Sequence, residues 1–315
     1  MFNFITMASR TFHSRIPYHI YIRSFDRGLI FYSTREYLVF FTFITTMARR
    51  YRIELMELSI MPDHVHMLAK SLVAGNLDLF LAATERLFAR EYNAAIGRSG
   101  SLFEIPGHAP KKTDKKIRSC IAYLFNNQVE KKMVTMAESA RWNFMAYAVS
   151  DHPFSAPIKL DKASRALRRA VKLVKYFRNA EKPLGFKTLE KLFGSLDPVE
   201  KEQLTDFIIS SYNCLDYDSI IAFFGTYEKM RLAVNSNTGS EFDIVETYDT
   251  ASDAPYSKMS ATVSKIEGLK DIKKVMMLDP DMKIRLANKL LQIPGVTARH
   301  IQKFLHIRPG SQHLD

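Results

Sequence analysis

Two apolar runs, Ile53 to Ile60 and His64 to Leu72, are separated only by Met61-Pro62-Asp63. So short a connection forces the second run back along the first, and the pair is predicted to be an antiparallel hairpin. Strand alternation then puts Val65, Met67 and Ala69 on one face, toward a core, with His64, His66, Leu68 and Lys70 on the other. His64 and His66 would stand on the same side of the sheet, roughly 6.6 Å apart, a spacing at which two imidazoles can grip one divalent ion. Two histidines packed for purely structural reasons satisfy the same pattern, and in a chain with 9 His such a pair arises readily by chance. The rest of the chain has to decide between these readings.

Around the hairpin the pattern mixes strands and helices. Tyr18 to Arg23 alternates and reads as a strand, and Asp26-Arg27-Gly28 as a turn. Ser33-Thr34-Arg35-Glu36 has the form of a capping box opening a helix of about 16 residues. Leu77 to Ile96 reads as a long amphipathic helix, and Gly97 to Lys112 as a loop with a basic end. A helix capped by Asp114 runs to about Met133, and Asn143 to Val149 is the last expected strand. This order predicts an α+β, ferredoxin-like antiparallel sheet with helices over residues 1–155.

Beyond a linker at 151–157 the pattern is all helical. Residues 156–234 include a basic amphipathic helix over Lys159 to Arg178. Arg165, Arg169 and Lys172 lie on its polar side, where they serve either as a solvated face or as DNA contacts. Helices are expected near Gly185–Phe193, Pro198–Tyr212 and Tyr217–Leu232. Residues 235–257 read as a polar loop or linker. In 258–315, the helices Pro280 to Leu291 and Thr297 to His306 flank a short turn in helix-turn-helix proportions. The second would present Arg299, His300, Gln302 and Lys303 to bases or phosphates.

Charge narrows the partners. The chain of 315 residues carries a net +12, shared by both halves, which favours an anionic partner and nucleic acid first. Two cysteines make neither a disulfide framework nor a zinc cluster, in keeping with a reducing compartment. The N-terminal residues lack a secretory pattern, and the most apolar window, Tyr37 to Ala48, is too short to span a bilayer. The expectation is a cytoplasmic, nucleoid-associated protein with no membrane partner.

A third group completes a candidate site. Tyr123 and Asn127, four apart on the helix after the basic loop, share one face. An amide oxygen from Asn127 with two imidazoles and waters suits Mg²⁺ or Mn²⁺ better than zinc. A tyrosine beside such an ion suggests nucleophilic attack on phosphorus. Lys111 and Lys112 end the basic loop and are candidate DNA contacts.

Met61-Pro-Asp-His-Val-His-Met-Leu68 is similar to the signature of the single-tyrosine HUH transposases, in the branch of REP-associated tyrosine transposases. The Tyr18–Arg23 strand with Phe31, Arg90-Glu-Tyr-Asn93, Arg98-Ser-Gly100 with Leu102-Phe103, and Tyr123-x-x-x-Asn127 follow in that family's order over about residues 13–150. The resemblance implies His64, His66 and Asn127 as metal ligands and Tyr123 as nucleophile. It further implies a single-stranded, hairpin-containing DNA substrate, a 5′-phosphotyrosine intermediate with a free 3′-OH, and compatibility with a homodimer. The chain departs from the pattern at Asp63, where Asn is commoner, at Gln128, where Pro is usual, and at Trp142-Asn-Phe-Met-Ala-Tyr147. The alternative is a catalytically weakened or domesticated regulator that binds duplex DNA through its C-terminal helix-turn-helix. A relaxase or replication initiator would ordinarily add a third histidine at a suitable spacing, and RNA binding on the sheet would need paired strand aromatics.

Overall fold

The computed structural model describes residues 12–236, 252–266 and 268–307. Its sheet has four strands, β1 (Tyr18–Arg23), β2 (Ile53–Ile60), β3 (His64–Ser71) and β4 (Gly107–Pro110), in the order β2-β3-β1-β4. Every neighbouring pair is antiparallel. With α1 (Thr34–Arg50) between β1 and β2, and α2 (Asn76–Ile96) between β3 and β4, this is the expected ferredoxin-like topology.

The two faces of the sheet are covered by different layers. Ile20, Ile22, Leu55, Leu58, Ile60, Val65, Met67 and Ala69 pack with α1 and α2 in one core. Met56 and Leu68 face the other way, into a second core with α3 (Asp114–Glu130). Strand β2 serves both faces through a bulge between Leu55 and Glu57, which shifts its alternation by one residue. α1 begins with the expected capping box, in which Ser33 N–H donates to Glu36 Oε2 at 2.7 Å.

Several expectations are corrected. The fourth strand is not Asn143–Val149 but Gly107–Pro110, which pairs with β1 from Tyr18↔Pro110 to Tyr21↔Gly107. A glycine and a proline in so short a strand are tolerated because it is an edge strand. The segment Asn143–Val149 instead forms 3-10 turns, because Phe144 adopts φ 64 and buried Asn143 Nδ2 donates to the carbonyls of Phe125 and Ala137. α3 is capped by Thr113, whose side chain accepts from Lys116 N–H, rather than by Asp114.

The helices α4 (Arg165–Asn179), α5 (Phe186–Phe193) and α6 (Pro198–Tyr212) extend the layer of α1 and α2. The single helix expected over Tyr217–Leu232 is two, α7 (Tyr217–Ala222) and α8 (Tyr227–Asn235), parted by Gly225 at φ 88. Of the loop expected at 235–257, residues 237–251 lie outside the described residues, and its end belongs to α9 (Pro255–Val263). α9, α10 (Pro280–Leu290) and α11 (Ala298–Leu305) enclose a small core that also takes in Leu29 and Tyr32. The C-terminal helices are therefore packed onto the sheet domain.

Candidate active site

Pairing of β1 with β3 assembles the site. The register Tyr21↔His66 and Arg23↔His64 sets His19, Tyr21 and Arg23 beside His64 and His66 on the face covered by α3. The imidazoles of His64 and His66 stand with ring centroids 4.9 Å apart. The Tyr123 ring is 5.8 Å from that of His66 and 6.1 Å from that of His19. Thus the structure brings His64, His66 and Tyr123 together, as expected, and adds His19.

Each histidine of the pair is held by its Nδ1. His64 Nδ1 lies 2.6 Å from Asp63 Oδ1, and His66 Nδ1 lies 2.9 Å from His19 Nε2. Such outer partners fix ring orientation, so that any metal held by the pair would be met through Nε2. His66 is fully buried. Burial first, then the neighbouring His64, His19 and Arg23, hold its pKa well below the ordinary value. A neutral imidazole is the form that ligates a metal. Asn127, one helical turn beyond Tyr123, is buried with its Nδ2 lacking a hydrogen-bond partner, a donor that an acceptor such as a phosphate oxygen would satisfy. Among the described residues no three His, Cys, Asp or Glu side chains are grouped to hold a metal. An ion at His64 and His66 would thus complete its shell with neutral oxygens, such as the Asn127 amide, water or a DNA oxygen, as hard cations allow.

Asp63 is a junction. Its Oδ1 meets His64 and its Oδ2 accepts from Lys303 Nζ of α11 at 2.8 Å. Burial pushes its pKa up, and the opposing pull of His64 and Lys303 prevails and holds the carboxyl far below its usual range. Asp253, ahead of α9, is almost fully buried. Its carboxyl is raised to about 6 by burial and by Asp63, against the pull of Lys303, His64 and Lys131.

The expected DNA contacts divide. Arg165, Arg169 and Lys172 are exposed on α4, but α4 belongs to the layer on the opposite side of the sheet from the histidines. Lys112 is exposed at the start of the α3 segment, whereas Lys111 is buried, its N–H donating to Pro17 O. Arg299 is exposed and Gln302 half-buried. His300 is not presented to solvent. Its Nδ1 accepts from Thr297 N–H at 3.0 Å and its Nε2 lies 2.7 Å from Ser252 O. Lys303 is likewise turned to Asp63, because α11 is docked on the sheet domain. Leu29 N–H donates to Lys303 O at 3.0 Å, Tyr32 Oη to Phe304 O at 2.8 Å, and His306 reaches Asp26 and Leu29 O. His19, Arg23 and the dual role of Asp63 escape a reading of spacing alone. The signal for the first two is that they share a face of β1, which has meaning only once β1 is paired with β3.

Comparison with known proteins bears on the same region. Residues 12–97 match the family model described as IS200-like transposase, a span that includes His19, Arg23, His64 and His66 and stops short of Tyr123. No curated protein matches the chain. One solved structure, of a REP-associated tyrosine transposase bound to a REP hairpin, aligns at 16% identity with a TM-score of 0.38, covering 46% of this chain and 86% of that one. No helix among the described residues is long and apolar enough to cross a membrane.

Proposed function

We propose that this chain, whose residues 12–97 match the IS200-like transposase family model, cleaves and rejoins single-stranded DNA through Tyr123. The observation that carries the reading is the Nδ1-anchored pair His64 and His66, 4.9 Å apart by ring centroid, with the Tyr123 ring 5.8 Å from that of His66. His64, His66 and Asn127 would hold Mg²⁺ or Mn²⁺. When bound, such an ion polarises a phosphoryl oxygen and offsets charge that develops on it.

The remaining chemistry belongs to the chain. Tyr123 Oη loses its proton as it bonds to phosphorus, the bond from phosphorus to the 3′ oxygen breaks, and that oxygen takes up a proton. The products are a 5′-phosphotyrosine and a free 3′-OH, so the phosphodiester energy is kept for rejoining when a 3′-OH attacks in reverse. Burial of Tyr123 and the histidines excludes water that would hydrolyse the intermediate. By the motif resemblance, the favoured substrate is a hairpin-bearing single strand.

The test uses 3′-labelled hairpin oligonucleotides drawn from DNA flanking the gene, with Mn²⁺. Wild-type protein should yield an adduct stable to denaturation, and Tyr123→Phe and His64→Ala should yield none. Absence of any wild-type adduct across such hairpins would sink the reading. The exposed basic side of α4 and Arg299 favour a second reading, a duplex-binding regulator. It predicts salt-sensitive, metal-independent duplex binding that survives His64→Ala.

A further inference from the structure

Arg23 ends β1 directly opposite His64. It is the last of the alternating residues His19, Tyr21 and Arg23, so its side chain leaves the sheet on the histidine face. The guanidinium lies over the Tyr21 ring, 5.0 Å from its centroid. That ring is itself 5.2 Å from His64 and 4.8 Å from His66. Arg23 Nε is buried and has no hydrogen-bond partner. Among the described residues no carboxylate stands within ion-pair distance of it. The acids nearby have other partners: Asp63 is held by His64 and Lys303, and Glu104 faces Arg27. Arginine keeps its charge at any working pH, so this cation stands beside the histidines with no anion paired to it. Buried donors are ordinarily satisfied, and an unsatisfied one on a charged fork at the mouth of a phosphoryl-transfer site calls for an anion that arrives with the substrate.

We propose that Arg23 is a catalytic residue that grips the non-bridging oxygens of the scissile phosphate from the β1 side, across from Tyr123. The proposal rests on the reading that Tyr123 attacks phosphorus beside His64 and His66. As the Tyr123 Oη to phosphorus bond forms and the bond to the 3′ oxygen breaks, negative charge is carried by those oxygens. The guanidinium offsets it without giving up a proton. The planar fork also fixes the orientation of the phosphate for in-line attack, which a lysine ammonium at this position would do less well.

The experiment maps the cleaved phosphate with the wild-type protein, then measures single-turnover cleavage by wild type, Arg23→Ala and Arg23→Lys. Each is given the natural hairpin and one carrying a methylphosphonate, which lacks the charge, at the mapped position. Mn²⁺ affinity is followed by calorimetry in the same preparations. Arg23→Ala should cleave at least about 100-fold more slowly, with Arg23→Lys in between and Mn²⁺ affinity within about threefold of wild type. On the methylphosphonate the deficit should shrink to less than about tenfold, because the charge that Arg23 meets is gone. If the wild type gives no cleavage, the transferase reading and this role fall together. If the wild type cleaves and Arg23→Ala keeps its rate, Arg23 alone is wrongly assigned. An equal deficit on both substrates, or a lost Mn²⁺ affinity, would make Arg23 a support for the histidines and overturn the proposal. Should Arg23→Ala not fold, Arg23→Lys carries the comparison on both substrates.

Discussion

Glu57 offers a sharp test of how the sheet is built. It lies in β2 just past the bulge, is 0% exposed, and neither carboxyl oxygen has a hydrogen-bond partner. Burial alone pushes its pKa well above the ordinary 4.5, so the folded protein holds Glu57 protonated. The sign follows from linkage. A carboxyl whose folded pKa is raised is most compatible with folding below its unfolded value, and stability is lost as pH climbs from there through the folded value. The loss runs at about 1.4 kcal/mol per pH unit across that window. Glu57→Met keeps the volume and removes the titration. In urea melts at pH 5, 6, 7 and 8, the variant should gain on the wild type by about 1.4 kcal/mol per unit until the folded pKa is passed. A difference that stays flat with pH would refute the reasoning. A wild type that gains on the variant as pH rises would mean that Glu57 is ionised and paired in the folded chain.

Three other outcomes are expected. Lys303→Met leaves the Asp63 carboxylate with His64 alone and should cost about 3 kcal/mol or somewhat less, since the Lys303 side chain is 20% exposed. Urea melts measure it, and because the folded pKa of Asp63 is depressed, the effect should be present above pH 3.8 and fade as pH falls further. His19→Ala removes the partner of His66 Nδ1 and should weaken Mn²⁺ binding by about 10- to 100-fold with the fold kept. Calorimetry reads this, and His19→Gln should recover part of it. Gly28→Ala would put a Cβ 2.4 Å from the His306 ring, costing about 1–3 kcal/mol of overpacking. In a His306→Ala background, which has its own cost from the lost bonds to Asp26 and Leu29 O, adding Gly28→Ala should cost far less in thermal melts.

What could be read in the chain beforehand was whatever short-range pattern decides. The hairpin of β2 and β3, the alternation of Val65, Met67 and Ala69, the Ser33 and Glu36 capping box and helix α6 are all dictated within a few residues. Strand β4 was hidden because Gly107-His-Ala-Pro110 has little strand preference of its own and is a strand only against β1. Conversely, the apolar run at Asn143–Val149 looked like a strand, but Phe144 turns it with a positive φ. Half of the candidate site, His64, His66 and Tyr123, follows from motif and helix spacing. Its other half, His19 and Arg23, depends on which strand lies beside β3. The orientation of His300 and Lys303 depends on docking against Leu29 and Tyr32, which no helical wheel contains.

The contact between Asp63 and Lys303 spans 240 residues of chain. On a ribosome adding about 5–20 residues per second, the strand that carries the histidines would wait on the order of 10–50 s for the lysine that steadies its aspartate. Over that interval the sheet can form while Asp63 has His64 as its partner and lacks Lys303. A premature stop anywhere before α11 would leave it so permanently. The environment of the histidine strand would then be completed only once residue 303 has been made.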